Sequence, residues 1–176
     1  NRKIFKSYEK EQLFDGNTTF FLKYLNTDTL YGEYGCGKST FYVLENYDIP
    51  VYSVESSEWW FNYVKKNNKN KIKNLNMNYV SIGKVSRENW GRPDDYSMRD
   101  NFINYANDLW KREFKPNVVL IDGGLRILCF LVSIKECSPH TKIIFDDYVN
   151  NKFYHVVEEI IKPTSTAGRQ CLFDVG

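Results

Sequence analysis

The sequence predicts an α/β fold, a doubly wound and mostly parallel sheet with helices on both faces. Two features of patterning point there. Short apolar runs end in a glycine or an acid, and each is followed by a segment long enough for a helix. The third observation is composition. Over 176 residues, 42% are hydrophobic, 16% aromatic and 26% charged, a balance that builds a core and not a disordered chain. That length suits one domain, so residues 1–176 are read as a single domain with 1–28 as a helical segment packed on it.

Taken in order, residues 8–25 place Leu13, Phe14, Phe20, Phe21, Tyr24 and Leu25 at mixed helical spacings, with Gly16-Asn17 as a break. This predicts one broken helix or two short ones. The strand runs are Thr29–Tyr34, Pro50–Glu55, Met77–Gly83, Asn117–Asp122 and Lys142–Asp146. Between and after them, helices are expected over Ser39–Asn46, Glu58–Lys66, Tyr96–Arg112, Gly124–Lys135 and Lys152–Ile161. The Lys/Asn run from Lys65 to Asn74 reads as a solvated helix end and loop. In such sheets ligands bind beyond the carboxyl ends of the strands, near the switch in strand order, so chemistry is sought there.

Several function classes are disfavoured at once. Lys and Arg total 24 against 22 Asp and Glu, and a net charge of +2 makes no electrostatic case for a nucleic-acid or membrane-surface partner. No apolar run approaches a membrane span, and no apolar stretch follows Asn1-Arg2-Lys3-Ile4 as a signal peptide would require. Cys36, Cys129, Cys137 and Cys171 contain no C-x-x-C pair, and His140 and His155 are too scattered to complete a metal site with them. Free thiols in a reducing compartment are expected, with the cytoplasm as default address. The expected partner is a small-molecule substrate. Oligomeric state is open, a homodimer being the first alternative to a monomer.

Two motifs compete for one loop. Gly32-Glu33-Tyr34-Gly35-Cys36-Gly37-Lys38-Ser39 matches the phosphate-binding pattern G-x-x-x-x-G-K-[ST] letter for letter, and Asp122 could supply a metal-binding acid at the end of an apolar strand. The same residues also read as strand, acid, glycine turn and helix. Glu55 then ends the next strand 20 residues after Gly35, the spacing at which an acid accepts hydrogen bonds from ribose hydroxyls. The second reading is preferred. It gives the first strand six residues instead of three, it employs Glu55, and the arginines are too scattered to form an obvious phosphoryl clamp.

With those residues in hand, the chain resembles the class I S-adenosylmethionine-dependent methyltransferase superfamily, a Rossmann-like fold. Glu33-Tyr34-Gly35-Cys36-Gly37 is similar to its first motif E/D-x-G-x-G, and Val54-Glu55 to its second-strand acid. More narrowly it resembles a group of small, mostly uncharacterised methyltransferase-like proteins. That likeness runs through Ser53–Ser56 with Trp59, Asn89–Pro93, Leu120–Arg126 and Phe145–Tyr148, then Tyr154–Glu159 and Gly168-Arg169. Lys38 departs from the pattern, standing where such loops carry a small residue, and no acid follows the third strand at Gly83-Lys84-Val85.

The resemblance implies S-adenosylmethionine as cofactor and methyl transfer as activity. The expected cofactor-binding residues are Glu33, Gly35, Cys36, Gly37, Ser39, Glu55, Ser56 and Asp122. Glu55 would accept the ribose hydroxyls, because both its oxygens are acceptors. Glu33 would bond loop N–H groups or the ligand's amino group, with a structural role as the alternative. The candidate catalytic residues are Asp122, Asp146, Asp147 and His155, the histidine as general base or as a packed structural residue. Asp122, Asp146 and Asp147 could together hold Mg²⁺ or Ca²⁺, but the reading adopted needs no metal. Trp90, Arg126 and Tyr148 are the candidate substrate contacts, Arg126 for an acidic group. A P-loop hydrolase or kinase and a non-catalytic interaction module remain the alternatives.

Overall fold

A computed structural model describes residues 12–68, 72–85 and 92–176. The Trp90 assignment falls outside them. Seven strands form one sheet: β1 (Tyr31–Tyr34), β2 (Val51–Glu55), β3 (Leu75–Tyr79), β4 (Val118–Ile121), β5 (Thr141–Phe145), β6 (Ser165–Ala167) and β7 (Gln170–Val175). Their order is β3-β2-β1-β4-β5-β7-β6. The first five run parallel, while β7 is antiparallel to both its neighbours. The helices are α1 (Thr19–Tyr24), α2 (Lys38–Asn46), α3 (Glu58–Asn67), α4 (Phe102–Asp108) and α5 (Arg126–Glu136). This is a Rossmann-like, doubly wound and mostly parallel architecture.

Strand alternation sorts the core onto two faces. Tyr31, Val51, Leu120, Ile144 and Leu172 point to one side and pack with Phe14, Phe21, Val43 and Leu44 from the N-terminal segment and α2. Tyr34, Val54, Val119, Ile121, Phe145 and Phe173 point to the other and meet Tyr105 of α4 and Phe130 of α5. Because β4 is covered on both faces, Val118-Val119-Leu120-Ile121 is apolar throughout and wholly buried. Each fully buried aliphatic or aromatic side chain contributes about 1.5–3 kcal/mol.

Several expectations need adjusting. The third strand lies at Leu75–Tyr79 and not at Met77–Gly83. As an edge strand it reads Leu-Asn-Met-Asn-Tyr, alternating by period two, and the apolar run that follows is loop. The helix expected over Tyr96–Arg112 is a 3₁₀ turn, Arg99–Asn101, followed by the short α4. Lys152–Glu159 is a 3₁₀ helix. The β6–β7 hairpin, whose strands close one end of the sheet, was not anticipated.

Among the described residues no helix is long and apolar enough to cross a membrane. The N-terminal segment begins with an unusual turn in which Phe14 (φ 50°), Asp15 (φ 54°) and Gly16 (φ 86°) are all left-handed. For the two non-glycine residues this conformation costs roughly 1–2 kcal/mol each, offset by the burial of Phe14 against Phe21.

Candidate functional site

The strand order reverses between β1 and β4, so the crevice at their carboxyl ends is the expected ligand site. Backbone hydrogen bonds knit these ends together: Gly35 N–H to Val54 O (2.9 Å), Asp122 N–H to Tyr34 O (3.0 Å) and Asp146 N–H to Ile121 O (3.0 Å). Gly35 has φ +89°, and a Cβ there would stand 2.8 Å from both Cα and N of Gly123. Only glycine lets the loops after β1 and β4 touch.

The loop itself is three residues long. Gly32, Glu33 and Tyr34 lie in β1, paired on both sides with β2 and β4, so their backbone groups do not wrap a phosphate. Gly32 is accounted for by packing, since a Cβ there would lie 2.7 Å from the Pro116 ring. The Ser39 hydroxyl donates to Glu33 Oε2 at 2.9 Å, and Lys38 opens α2. The literal phosphate-loop match is therefore built as strand, glycine turn and helix.

Glu33 is fully buried and gathers three hydroxyl donors: Tyr31 (3.0 Å) and Ser39 on Oε2, and Thr40 on Oε1 (2.5 Å). Burial pushes its carboxyl up to about 7, against the pull of these hydroxyls. Its partners tie the middle of β1 to the first turn of α2. This is the structural alternative allowed for Glu33, and Ser39 belongs to the same knot.

Glu55, 3% exposed, holds the glycine loop from the neighbouring strand end. Its Oε2 accepts from Cys36 N–H at 2.7 Å, and its Oε1 accepts from Ser57 N–H at 2.6 Å in the entry to α3. Burial raises its pKa, opposed chiefly by those backbone donors. The Cys36 thiol and the Ser56 N–H add further donors to the same carboxylate. Ser56 is buried beside it, and burial pushes the Cys36 thiol up, leaving it an unreactive packing group. Gly37 faces the Trp60 ring, which would lie 3.7 Å from a Cβ placed there.

One buried group near this point lacks a hydrogen bond. Tyr105 Oη, from α4, is enclosed with no hydrogen-bond partner among the described residues and would stand 2.5 Å from a Cβ at Gly123. Burial raises its pKa far above the ordinary value, the Ser56 hydroxyl pulling weakly the other way. The Tyr105 hydroxyl and the Glu55 carboxylate thus lie in one buried region at the ends of β1, β2 and β4, with Ser56 beside both.

At the β4 and β5 ends the acids are held differently. One carboxylate oxygen each from Asp122, Asp146 and Asp147 lies within 4.8 Å of the others. Two arginines interleave them. Arg126 makes four hydrogen bonds, Nε to Gly123 O, Nη1 to Asp146 O, and Nη2 to Asp122 O and Oδ1, and its Nη1 also pairs with Asp147 Oδ2 at 3.0 Å. Arg169 reaches Asp146 Oδ1 through Nε (3.1 Å), and its Nη2 lies 2.8 Å from Asp146 Oδ2 at an angle too poor for a hydrogen bond. Burial raises the Asp122 pKa. Arg126 lowers it, and the neighbouring Asp146 and Asp147 raise it again. The positive charge that three clustered carboxylates require is thus supplied by guanidinium groups. Arg126, 10% exposed and engaged at each of its three nitrogens, is poorly placed to take a substrate anion.

His155 and Tyr148 form a separate pair. Their rings stack at 4.8 Å, His155 Nε2 lies 3.2 Å from Tyr148 O, and Tyr148 Oη donates to Glu158 Oε1 at 2.9 Å. The sequence had not singled out Tyr105, Trp60 or Asp15, and it gave Arg169 no role. Only the Gly168-Arg169 echo marked that arginine. A wide, shallow groove of about 750 Å³ between Asp48–Pro50 and Lys73–Met77 lies at the amino ends of β2 and β3, the wrong end for the switch-point site.

No protein-family model matches the chain, and no curated protein matches it. Among solved structures, a methyltransferase-like protein of Silicibacter pomeroyi is similar over 85% of this chain and 79% of its own, with 29% identity and a TM-score of 0.70. An S-adenosylmethionine-dependent methyltransferase of Methanosarcina mazei is 10% identical over 78% of this chain and 62% of its own, with a TM-score of 0.42, and nothing is rested on it.

Proposed function

We propose that the chain is a methyltransferase that binds S-adenosylmethionine at the carboxyl ends of β1, β2 and β4 and methylates a small molecule. The observation that carries the reading is Glu55, a buried carboxylate at the end of β2 that holds the Cys36 N–H of the glycine loop and the Ser57 N–H at the switch-point end of the sheet. A carboxylate at that strand end suits two vicinal ribose hydroxyls. The likeness to the Silicibacter pomeroyi methyltransferase-like protein supports the same reading.

When bound, S-adenosylmethionine supplies an already activated methyl group. The protein's part is to orient, exclude water and, where the acceptor needs it, remove a proton. Gly35 and Gly37 shape the loop, Tyr105 Oη offers a donor, and Asp122 offers a carboxylate to an amino group. Asp146 and Asp147 stand with Asp122 at the β4–β5 end, paired with Arg126 and Arg169. His155 is the candidate base, half-exposed on its 3₁₀ helix.

Thermal unfolding with adenosylmethionine, adenosylhomocysteine or Mg-ATP added separately tests this. A ligand at 100 times its dissociation constant contributes about 2.7 kcal/mol, which at roughly 2–4 °C per kcal/mol is a readable shift. The adenosyl compounds should raise the midpoint, and Glu55→Gln should remove most of the rise. Stabilisation by Mg-ATP alone contradicts the reading, and no stabilisation by any nucleoside favours an interaction module.

A further inference from the structure

The two arginines of the β4–β5 end are not equivalent. Arg126 is anchored through all three of its nitrogens. Arg169, in the turn between β6 and β7, is anchored only along its inner edge, Nε and Nη2 facing Asp146 and Asp147. Its outer nitrogen, Nη1, meets one partner among the described residues, Asp15 Oδ2 at 3.1 Å. That partner is of another kind. The Asp15 side chain is 78% exposed, where Asp146 is fully buried. It comes from the left-handed N-terminal turn, 154 positions away in sequence.

An exposed ion pair of this kind is weak and exchangeable, whereas the inner contacts fix the guanidinium plane. The result is a rigidly aimed, half-buried donor edge at the end of β5, covered by a carboxylate that water already reaches. A ligand oxyanion would take over the Nη1 hydrogen bond as acceptor while Asp15, already exposed, turns out into water.

We infer that the outer edge of Arg169 is an oxyanion subsite, and that Asp15 occupies it until a carboxylate or phosphate group of a ligand displaces it. The inference deepens the transferase reading, on which its last step rests, by naming the acceptor class: a small molecule bearing a carboxylate or phosphate. It also moves the substrate-anion role from Arg126 to Arg169.

The test follows the Arg169 Nε–Hε signal by NMR in the full chain during separate titrations at constant ionic strength. Succinate and inorganic phosphate are the oxyanion probes, chloride is the control, and adenosylhomocysteine is titrated alone. At least one oxyanion should move the signal saturably where chloride does not, and whichever does identifies the source. Asp15→Asn removes the competing carboxylate and should tighten that binding by about 1.5- to 5-fold, the range set by a 0.2–1 kcal/mol surface pair. This variant keeps the inner ion pairs and so the fold. A signal that ignores both oxyanions, responds equally to chloride, or binds no tighter in Asp15→Asn overturns the inference. So does a signal moved by adenosylhomocysteine and by neither oxyanion, because the arginine would then belong to the cofactor. If adenosylhomocysteine fails to bind while an oxyanion moves Arg169, the transferase reading falls and the subsite stands.

Discussion

Glu33 and Glu55 at the β1–β2 side of the sheet, and Asp122, Asp146 and Asp147 at the β4–β5 side, face the same problem of keeping carboxylates out of water. They meet it by opposite means. On the first side the acids are surrounded by dipoles: hydroxyls of Tyr31, Ser39 and Thr40 on Glu33, and the N–H groups of Cys36 and Ser57 on Glu55. On the second side full charges answer them, from Arg126 and Arg169. Neither means fully offsets burial: the Glu33 carboxyl climbs to about 7 among its hydroxyls, and Asp122 is raised despite Arg126 because Asp146 and Asp147 add to the effect of burial. The dipole side is held by neutral donors alone. The ionic side uses most of its capacity internally and exposes one exchangeable edge.

The largest expected effect is on the ionic side. Arg169→Met leaves Asp146, fully buried, without its counter-charge and should destabilise the protein by about 3 kcal/mol or more in urea unfolding. Adding Asp146→Asn should restore a large part of that. If the single variant costs less than about 1 kcal/mol, the acids on this side do not depend on ion pairs and the contrast collapses.

The dipole side should reveal itself through pH. Glu33 has an ordinary pKa of 4.5 and a folded value of about 7, so between those values the folded state retains a proton that the unfolded chain has lost. Its stabilising contribution is full below pH 4.5 and is lost as pH rises through 7, a fall of about 3 kcal/mol. Glu33→Gln should flatten that slope in denaturant unfolding across pH 4.5–8. A wild-type slope unchanged by the substitution would mean that Glu33 does not titrate as its surroundings demand.

Smaller effects follow at the loop and beneath it. Glu55→Ala strands two buried N–H groups and should cost about 1–3 kcal/mol, with Glu55→Gln milder because it retains an acceptor oxygen. Tyr105→Phe deletes a buried hydroxyl that has no hydrogen bond, so stability should stay within about 1 kcal/mol of wild type or rise. A clear loss in Tyr105→Phe would show that the hydroxyl is satisfied in the protein alone and is not waiting for a ligand.

Much of the parallel sheet was legible because β1, β2, β4 and β5 are apolar runs stopped by acids or glycine, a signal confined to neighbouring residues. Strand β3 was displaced by a few positions because an edge strand alternates where a central one does not. The β6–β7 hairpin escaped notice because Ser165–Ala167 is short and polar, with its pairing set by β5 and β7 across the sheet. The same divide runs through the candidate site. Glu55 and the glycine loop are spaced by one βα unit and could be read together. Asp15, Asp146 and Arg169 converge from three distant parts of the chain, and no local pattern encodes an ion pair made by topology. Gly32 is the instructive case. Its motif suggests a phosphate loop, while the Pro116 ring beside it supplies an ordinary packing reason.

The central claim is that the dipole side holds an adenosyl ligand through Glu55. Calorimetric titration of adenosylhomocysteine and of Mg-ATP into wild type, Glu55→Gln and Lys38→Ala tests it most directly. Adenosylhomocysteine should bind the wild type and Lys38→Ala alike, and bind Glu55→Gln at least about tenfold more weakly, as loss of a charged hydrogen bond implies. Mg-ATP binding that disappears in Lys38→Ala, with adenosylhomocysteine inert throughout, would contradict it.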